Sequence, residues 1–476
     1  MKFLQTINVF GLILQAVMAQ VQAPALPGKG APISASDRIY TGDQSSNTVT
    51  VIAPFTGQVL GTIALGNPRL TDLMGPQYQE AVNSHGLGFS RDGRFIVSLS
   101  VTTNQVTVIR CEDNVIQSTT FVDRQSHEAF FSADNRTIWV GTRGVDHIDI
   151  VDGINGGIIG KVDSWGGPSK VLFSPDGKTA YANHIRSASV SVIDVERQVV
   201  VHNITGLADT FSSDMMLSAD GLRLWAAHKK VGKVSIISTA QRKVIGVLDS
   251  GSETNHPNFA TVDGIVYGFT TVGALNLTRV YAQPNPHRMP VHVRDLHSSG
   301  IEPHGIWPSP DNTHMYVVNE HSDTVDFFSL DSWSIVKTVR VGQEGQALVY
   351  VADAVTSGDG TQNLGTQGLL ARLPYNKLVN VRSSDGGYTD ATALITIRHE
   401  EGLDMFQLIG RDLNLSTIYT ASASCLGCNG VQLPLVNFTA TPSSGMKMGC
   451  GTAPQVLAFL SFFGVYDEDT LQVTEA

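Results

Sequence analysis

Seven of the fourteen histidines recur at two kinds of place. His85, His127, His256 and His304 open apolar stretches, while His184, His228 and His321 close the next stretch, where Arg143 stands in a neighbouring unit. A neutral imidazole donates a hydrogen bond, and a guanidinium can hold a carboxylate. Brought together, such groups would suit a reaction that needs positioning and mild polarisation more than a strong nucleophile, given walls to hold the substrate. We therefore take His85, His127, His304, Arg143 and His184 as candidate catalytic residues. His228, His256, His321, Trp165 and Trp307 are candidate substrate contacts.

Other chemistries lack their residues. No G-x-S-x-G elbow, phosphate-cradling G-x-x-x-x-G-K-[ST] or H-E-x-x-H spacing occurs, and no H-x-H pair argues for a metal. The five tryptophans are too scattered to dock a quinone cofactor. No cofactor and no metal are expected. The structural alternative for the histidines is a bridge to a neighbouring strand or a solvated turn.

Scattered groups of this kind need a scaffold that gathers them. "FSRDGRFIVSLS" begins at Phe89, "FSADNRTIWVGT" at Phe131, "FSPDGKTAYANH" at Phe173, "LSADGLRLWAAH" at Leu217 and "PSPDNTHMYVVN" at Pro308. Their serines are 42, 42, 44 and 91 residues apart, and a degenerate copy, "ATVDGIVYGFTT", fills the long gap. Periods near 40–47 mean helical solenoids or propeller blades. Period-two alternation in "SVSVIDV" and "KVSIIST" excludes the helical option. The x-D-G and x-D-N turns supply the left-handed residue of a tight strand connection.

Each unit is thus a four-stranded antiparallel sheet that must bury its faces against its neighbours. The fold class is all-β: a seven-bladed β-propeller over 38–352, with a small β extension, 353–476, packed on it. "GQALVYVADAV" should complete the first blade, whose copy at Arg38 lacks an innermost strand. Antiparallel alternation then aims the histidines and Arg143 at one mouth of the channel. The insertions "GNPRLTDLMGPQYQEAVNS" and "YAQPNPHRMPVHVRDLHSSGIEP" are expected to cover that mouth as lids.

The ends and composition set the compartment. Residues 1–19 read as a signal peptide and 20–37 as an unstructured linker. Sequons at Asn135, Asn203, Asn276, Asn414 and Asn437 agree with passage through the secretory pathway. Cys111, Cys425, Cys428 and Cys450 are disulfide candidates in that setting. With 16% charged residues, net charge −11 and no basic cluster, nucleic acid is not an expected partner, and no later segment is long and apolar enough for a membrane span. The expected partner is a small apolar or aromatic substrate; the oligomeric state is not legible.

The units resemble YVTN-type β-propeller repeats, the name strand standing here as "AYANH" and "MYVVNEH" between residues 38 and about 352. That resemblance speaks for fold and is nearly silent on function. The leader, linker, sequons and the tail "APQVLAF…FFGVYD" resemble secreted fungal hetero-Diels–Alderases that join tropolonic quinone methides to humulene-type terpenes. The resemblance implies His and Arg donors on the quinone-methide carbonyl, with Trp, Met and Phe holding the alkene. A second reading is a metal-free lactonase or cyclase of the carboxymuconate type, with a carboxylate held by Arg143 and His184. A third is a secreted propeller that binds without catalysis.

Overall fold

The computed structural model describes residues 30–65, 82–371, 373–400, 403–426, 430–439, 455–460 and 466–476. The expected signal peptide, 1–19, residues 20–29 of the expected linker and most of the first insertion, 66–81, lie outside them. No α-helix occurs among the described residues.

Seven four-stranded antiparallel sheets repeat along residues 38–351. Their innermost strands are Gly345–Val351 (blade 1), Gly86–Phe89, Ser126–Phe131, Pro168–Phe173, Asp214–Leu217, Thr254–Val262 and Pro303–Pro308 (blade 7). Each packs against the next, and Gly345–Val351 touches both the blade 7 and the blade 2 strands, so the ring closes. That closing strand pairs with Arg38–Asp43, whose chain otherwise begins on the second strand of its sheet.

The repeated Ser-x-Asp signature has a local cause. In each turn the serine hydroxyl donates to the aspartate two residues on: Ser90–Asp92, Ser132–Asp134, Ser174–Asp176, Ser218–Asp220 and Ser309–Asp311, all between 2.5 and 2.7 Å. The next position takes left-handed φ, 73° at Gly93 and 57° at Asn312, which glycine and asparagine tolerate best. Such turns all face the end of the ring opposite the histidines. Burial follows strand order: Thr137–Thr142 is buried almost throughout, while the outermost Ile158–Asp163 of the same blade is mostly exposed.

After Val351 the chain does not fall loose. Val355 N donates to Ser36 O, Asn114 Nδ2 to Gly360 O, Thr62 N to Gly365 O and Gln367 Nε2 to Ser46 O. This strap carries the chain up the side of blades 1 and 2 to the histidine-bearing face. There residues 375–475 form a seven-stranded sheet in the order Gln432–Thr439, Ile418–Cys425, Tyr466–Glu475, Tyr375–Arg382, Tyr388–Glu400, Leu403–Arg411, Gln455–Leu460. It has its own core, including Val381, Ile395, Phe406, Leu408, Tyr419 and Val473. The segment "APQVLAFLSFFGVYD" contributes its edge strand Gln455–Leu460, paired with Leu403–Arg411.

Two expectations about chain segments are corrected. Part of the linker is fixed: Gly30 N donates to Pro310 O, and Tyr350 Oη donates to Asp37. The second insertion is no lid. Its loop, 283–290, joins the third and fourth strands of blade 6 and therefore lies at the Ser-x-Asp end, where Gln283 accepts from Trp225 Nε1 and from Arg223 Nε.

Candidate active site at the channel mouth

Strand starts and the turns after the second strands share the other end of the ring. His85, His127 and His304 occupy one level on the innermost strands of blades 2, 3 and 7. Glu128, Lys170, Asp214 and His256 occupy the next level on blades 3 to 6, as the pairing register shows. The turns add Gln44, Arg143, Lys229 and Glu320.

Two pairs of imidazoles meet across neighbouring blades. His85 and His127 have ring centroids 4.6 Å apart, as do His256 and His304. Close strand approach makes this possible: a Cβ at Gly86 or Gly305 would collide with the carbonyl of His127 or Gln346. Each ring is anchored through Nδ1. His85 Nδ1 is 2.7 Å from Gln44 Oε1, His127 Nδ1 3.2 Å from Ser169 Oγ, His304 Nδ1 3.2 Å from Gln346 O, and His256 Nδ1 3.0 Å from Asp214 Oδ2. Amide oxygens and carboxylates accept, so Nδ1 of His85, His304 and His256 carries the proton and Nε2 keeps its lone pair.

Burial, reinforced by Arg143, Lys170, Lys229 and neighbouring imidazoles in differing combinations, holds all four well below the ordinary histidine value. They are neutral near pH 7. Arg143 donates through Nε to Ser169 Oγ at 2.8 Å and through Nη2 to Ser213 O at 3.0 Å, and it lies over the Phe211 ring. Burial lowers its pKa to about 10, so it remains a cation. Glu128 is pushed up to about 7 by burial and by Asp214. Below this level the channel narrows: a cavity of about 10 Å³ lies among Leu87, Met216, Ile306, Trp307 and Leu348, room for roughly one water.

Among the described residues, three groups of carboxylates and histidine bring ligand atoms within 4.8 Å of one another: Glu128–Asp214–His256, Glu302–Glu320–His321 and Asp123–His147–Asp149. Each already contains an ammonium. Lys170 Nζ is 2.7 Å from both Glu128 and Asp214, Lys229 Nζ 2.9 Å from Glu302, and Lys161 Nζ 3.5 Å from Asp149. The chain's own lysines supply the balancing cation, which weighs against a divalent ion in these positions.

The C-terminal sheet covers the blade 6, 7 and 1 side of the mouth. Arg398 donates to Glu320 O at 2.9 Å and to Asp323 Oδ1 at 3.1 Å, Gln407 to Glu344, and Arg411 to both oxygens of Glu253. It leaves His85 and His256 part-exposed, while His127 and His304 are buried.

Several expected site residues lie elsewhere. His184 and His228 are fully buried within their own blades, not in exposed turns; their Nε2 atoms pair with Ser191 and Ser235 at 2.9 Å. Neither faces the mouth, because the last residue of the second strand points between strands. His321 is also buried, 3.1 Å from Glu302 and under the C-terminal sheet, where Asn376 bonds its carbonyl. Trp307 lies below the histidines against Phe89 and Phe130, and Trp165 stands outside the mouth, 72% exposed. Cys111 is a buried free thiol, pushed up to about 12 by burial beside Tyr40, and not half of a disulfide. Cys425 is buried, and Cys428 and Cys450 lie outside the described residues. Of the sequons, Asn203, Asn276, Asn414 and Asn437 are exposed and Asn135 is half-buried. Glu128, Lys229 and Gln44 were missed as site residues. Glu128 directly follows a chosen histidine and stands four residues before Ser132, as Lys170 and Asp214 stand before Ser174 and Ser218, so the repeat spacing already carried its level, which the register shows as well.

No family model matches the sequence. A curated 6-phosphogluconolactonase from Enterobacter sp. is 27% identical over 177 residues, 32% of this chain; the chain spans about half, 51%, of that relative's length. Similar solved structures are β-propeller proteins. They include the periplasmic gluconolactonase of Pseudomonas aeruginosa (TM-score 0.52, 15% identity, 66% of this chain and 99% of that one). A putative 6-phosphogluconolactonase from Bacteroides uniformis gives TM-score 0.54 at 12% identity, over 66% of this chain and 100% of that one. Hydrazine synthase of Kuenenia stuttgartiensis gives TM-score 0.51 at 19% identity, over 68% and 99%. At these identities the structural likeness establishes the fold, an all-β propeller.

Proposed function

We propose that the mouth hydrolyses a small anionic lactone without a metal, with His256 as general base and Arg143 holding the anion. The observation that carries this is the His256–Asp214 pair: a buried carboxylate fixes Nδ1–H and leaves Nε2 free as a base. Arg143 stands near the same opening, with Nη1 unpartnered among the described residues. The name of the 6-phosphogluconolactonase relative supports the reaction class, and the two gluconolactonase-named propellers support the scaffold.

In this reaction Nε2 of His256 takes a proton from water while the oxygen attacks the lactone carbonyl. The carbon–ring-oxygen bond then breaks, and the departing alkoxide takes the proton back from the imidazolium. The product is the open hydroxy acid. Arg143 stabilises the developing oxyanion, a contribution of roughly 3–4 kcal/mol per well-placed donor in other acyl-transfer sites. A bound anion offsets the cationic field of Arg143, Lys170 and Lys229, which makes His256 a stronger base once substrate is present.

The cycloaddition reading needs an apolar wall beside the donors. Trp307 is buried below them, and Phe211 lies beneath Arg143, so the lactone reading ranks ahead. The deciding experiment is proton release above the spontaneous rate from 6-phosphoglucono-δ-lactone, glucono-δ-lactone and a muconolactone. Turnover of an anionic lactone that disappears in His256→Asn is the expected result. No acceleration with any of the three overturns the proposal and leaves binding without catalysis.

A further inference from the structure

On the outer side of the same face, a groove of about 790 Å³ runs between blades 3 and 4. One wall is Trp165. Its indole is left in water by a loop that is otherwise fixed: Gly166 N and Gly167 N donate to Asp146 Oδ1 at 3.0 and 3.2 Å. Arg186 N and Ile185 N donate back to their carbonyls, and both glycines adopt left-handed φ, 101° and 69°. Trp165 is thus held 72% exposed on a pre-organised backbone at the edge of the groove.

The other wall is rich in hydroxyls and amide: Ser187, Ser189, Ser191, Thr205 and Asn203. A flat ring facing such groups suits a pyranose, whose C–H face stacks on indole while its hydroxyls find donors and acceptors. The occupant is also indicated. Asn203 belongs to the sequon Asn203-Ile204-Thr205, is exposed, and lines this groove. Ser191 Oγ donates to its Oδ1 at 3.0 Å, and its Nδ2 has no partner among the described residues.

We propose that an N-linked glycan on Asn203 folds back into this groove and stacks its first pyranose rings on Trp165. The proposal rests on passage through the secretory pathway and is independent of the lactone chemistry, so either can fail alone.

The full chain, secreted from a yeast host, would be mapped by glycopeptide mass spectrometry. The folded protein would then be digested with endoglycosidase H. The expected result is an occupied Asn203 whose glycan is cleaved about tenfold more slowly than that at exposed Asn437. Trp165→Ala should abolish the difference without changing occupancy; this side chain is exposed, so folding is not at stake. An unmodified Asn203, or equal cleavage in parent and variant, overturns the proposal. Trp165-dependent binding of a free cello-oligosaccharide by unglycosylated protein would overturn it too, by giving the groove to an external sugar.

Discussion

His256 Nδ1 lies 3.0 Å from Asp214 Oδ2, and Lys170 Nζ lies 2.7 Å from the other oxygen of the same carboxylate. One buried anion therefore orients a base and neutralises a cation at once. If His256 is the base, His256→Asn lowers kcat on an anionic lactone by about 100-fold or more while KM moves little. The pH profile checks the same point. Burial and the surrounding cations hold His256 well below the ordinary value, so its base form persists on acidification. The kcat/KM should stay flat from neutral down to about pH 6, where an unperturbed imidazole would already be losing activity. A limb centred near pH 6.5 would rule out this assignment.

Arg143 carries a separable prediction. Arg143→Met removes the guanidinium that lies over Phe211 but keeps an unbranched apolar stem. An anionic lactone should lose about 30- to 100-fold in kcat/KM, and its uncharged counterpart less than about threefold. Equal losses on both substrates would mean that Arg143 is only a strut between Ser169 and Ser213.

The mouth was legible in the sequence to the extent that period-two alternation fixes direction. His85, His127, His256 and His304 meet because each opens an innermost strand, and strand order alone sets which end that is. His184 and His228 defeat the same logic. They end their strands, and whether such a side chain enters the channel or turns between strands depends on twist and on partners such as Ser191 and Ser235. Glu128 and Lys170 share a level because Ser126–Phe131 and Pro168–Phe173 carry matching bulges. The 42-residue spacing carries that shared level, but not the cross-strand partners, which a bulge shifts by one residue. The covering sheet was legible as a β extension packed on the propeller; its seat over the mouth depends on Arg398 and Arg411 meeting carboxylates far away in the chain.

His184 and His228 make stability pH-dependent. Burial lowers both to about 4, below the unfolded value near 6.5. As pH falls through that interval the unfolded chain takes up protons first, so stability present above about pH 6.5 is lost towards pH 4. Each histidine contributes at most about 3 kcal/mol to that loss. The double variant His184→Gln, His228→Gln should flatten the fall of Tm between these limits. Asp43, pushed up to about 7 by burial among Thr41, Thr48 and Thr50, titrates in the opposite sense, so the comparison is of variant with parent. An unchanged slope would show that other groups set the acid limb.

Arg398 tests what seats the C-terminal sheet. Its side chain is fully buried, and its guanidinium bonds Asp323, itself 2% exposed, and the Glu320 carbonyl. Removing one partner leaves the other charge buried, so Arg398→Met should destabilise the docked sheet by about 3–5 kcal/mol. Asp323→Asn alone should be damaging for the same reason, with Glu344 N also losing its acceptor charge. The double variant should recover part of the loss, because no isolated charge remains. Limited proteolysis within residues 353–371, followed with Tm, reads this directly. The single variants should be cut faster than the parent and the double variant at an intermediate rate. Additive losses in the double variant would show that the two residues act separately, and that Arg411 with Glu253 or Gln407 with Glu344 holds the sheet over the mouth.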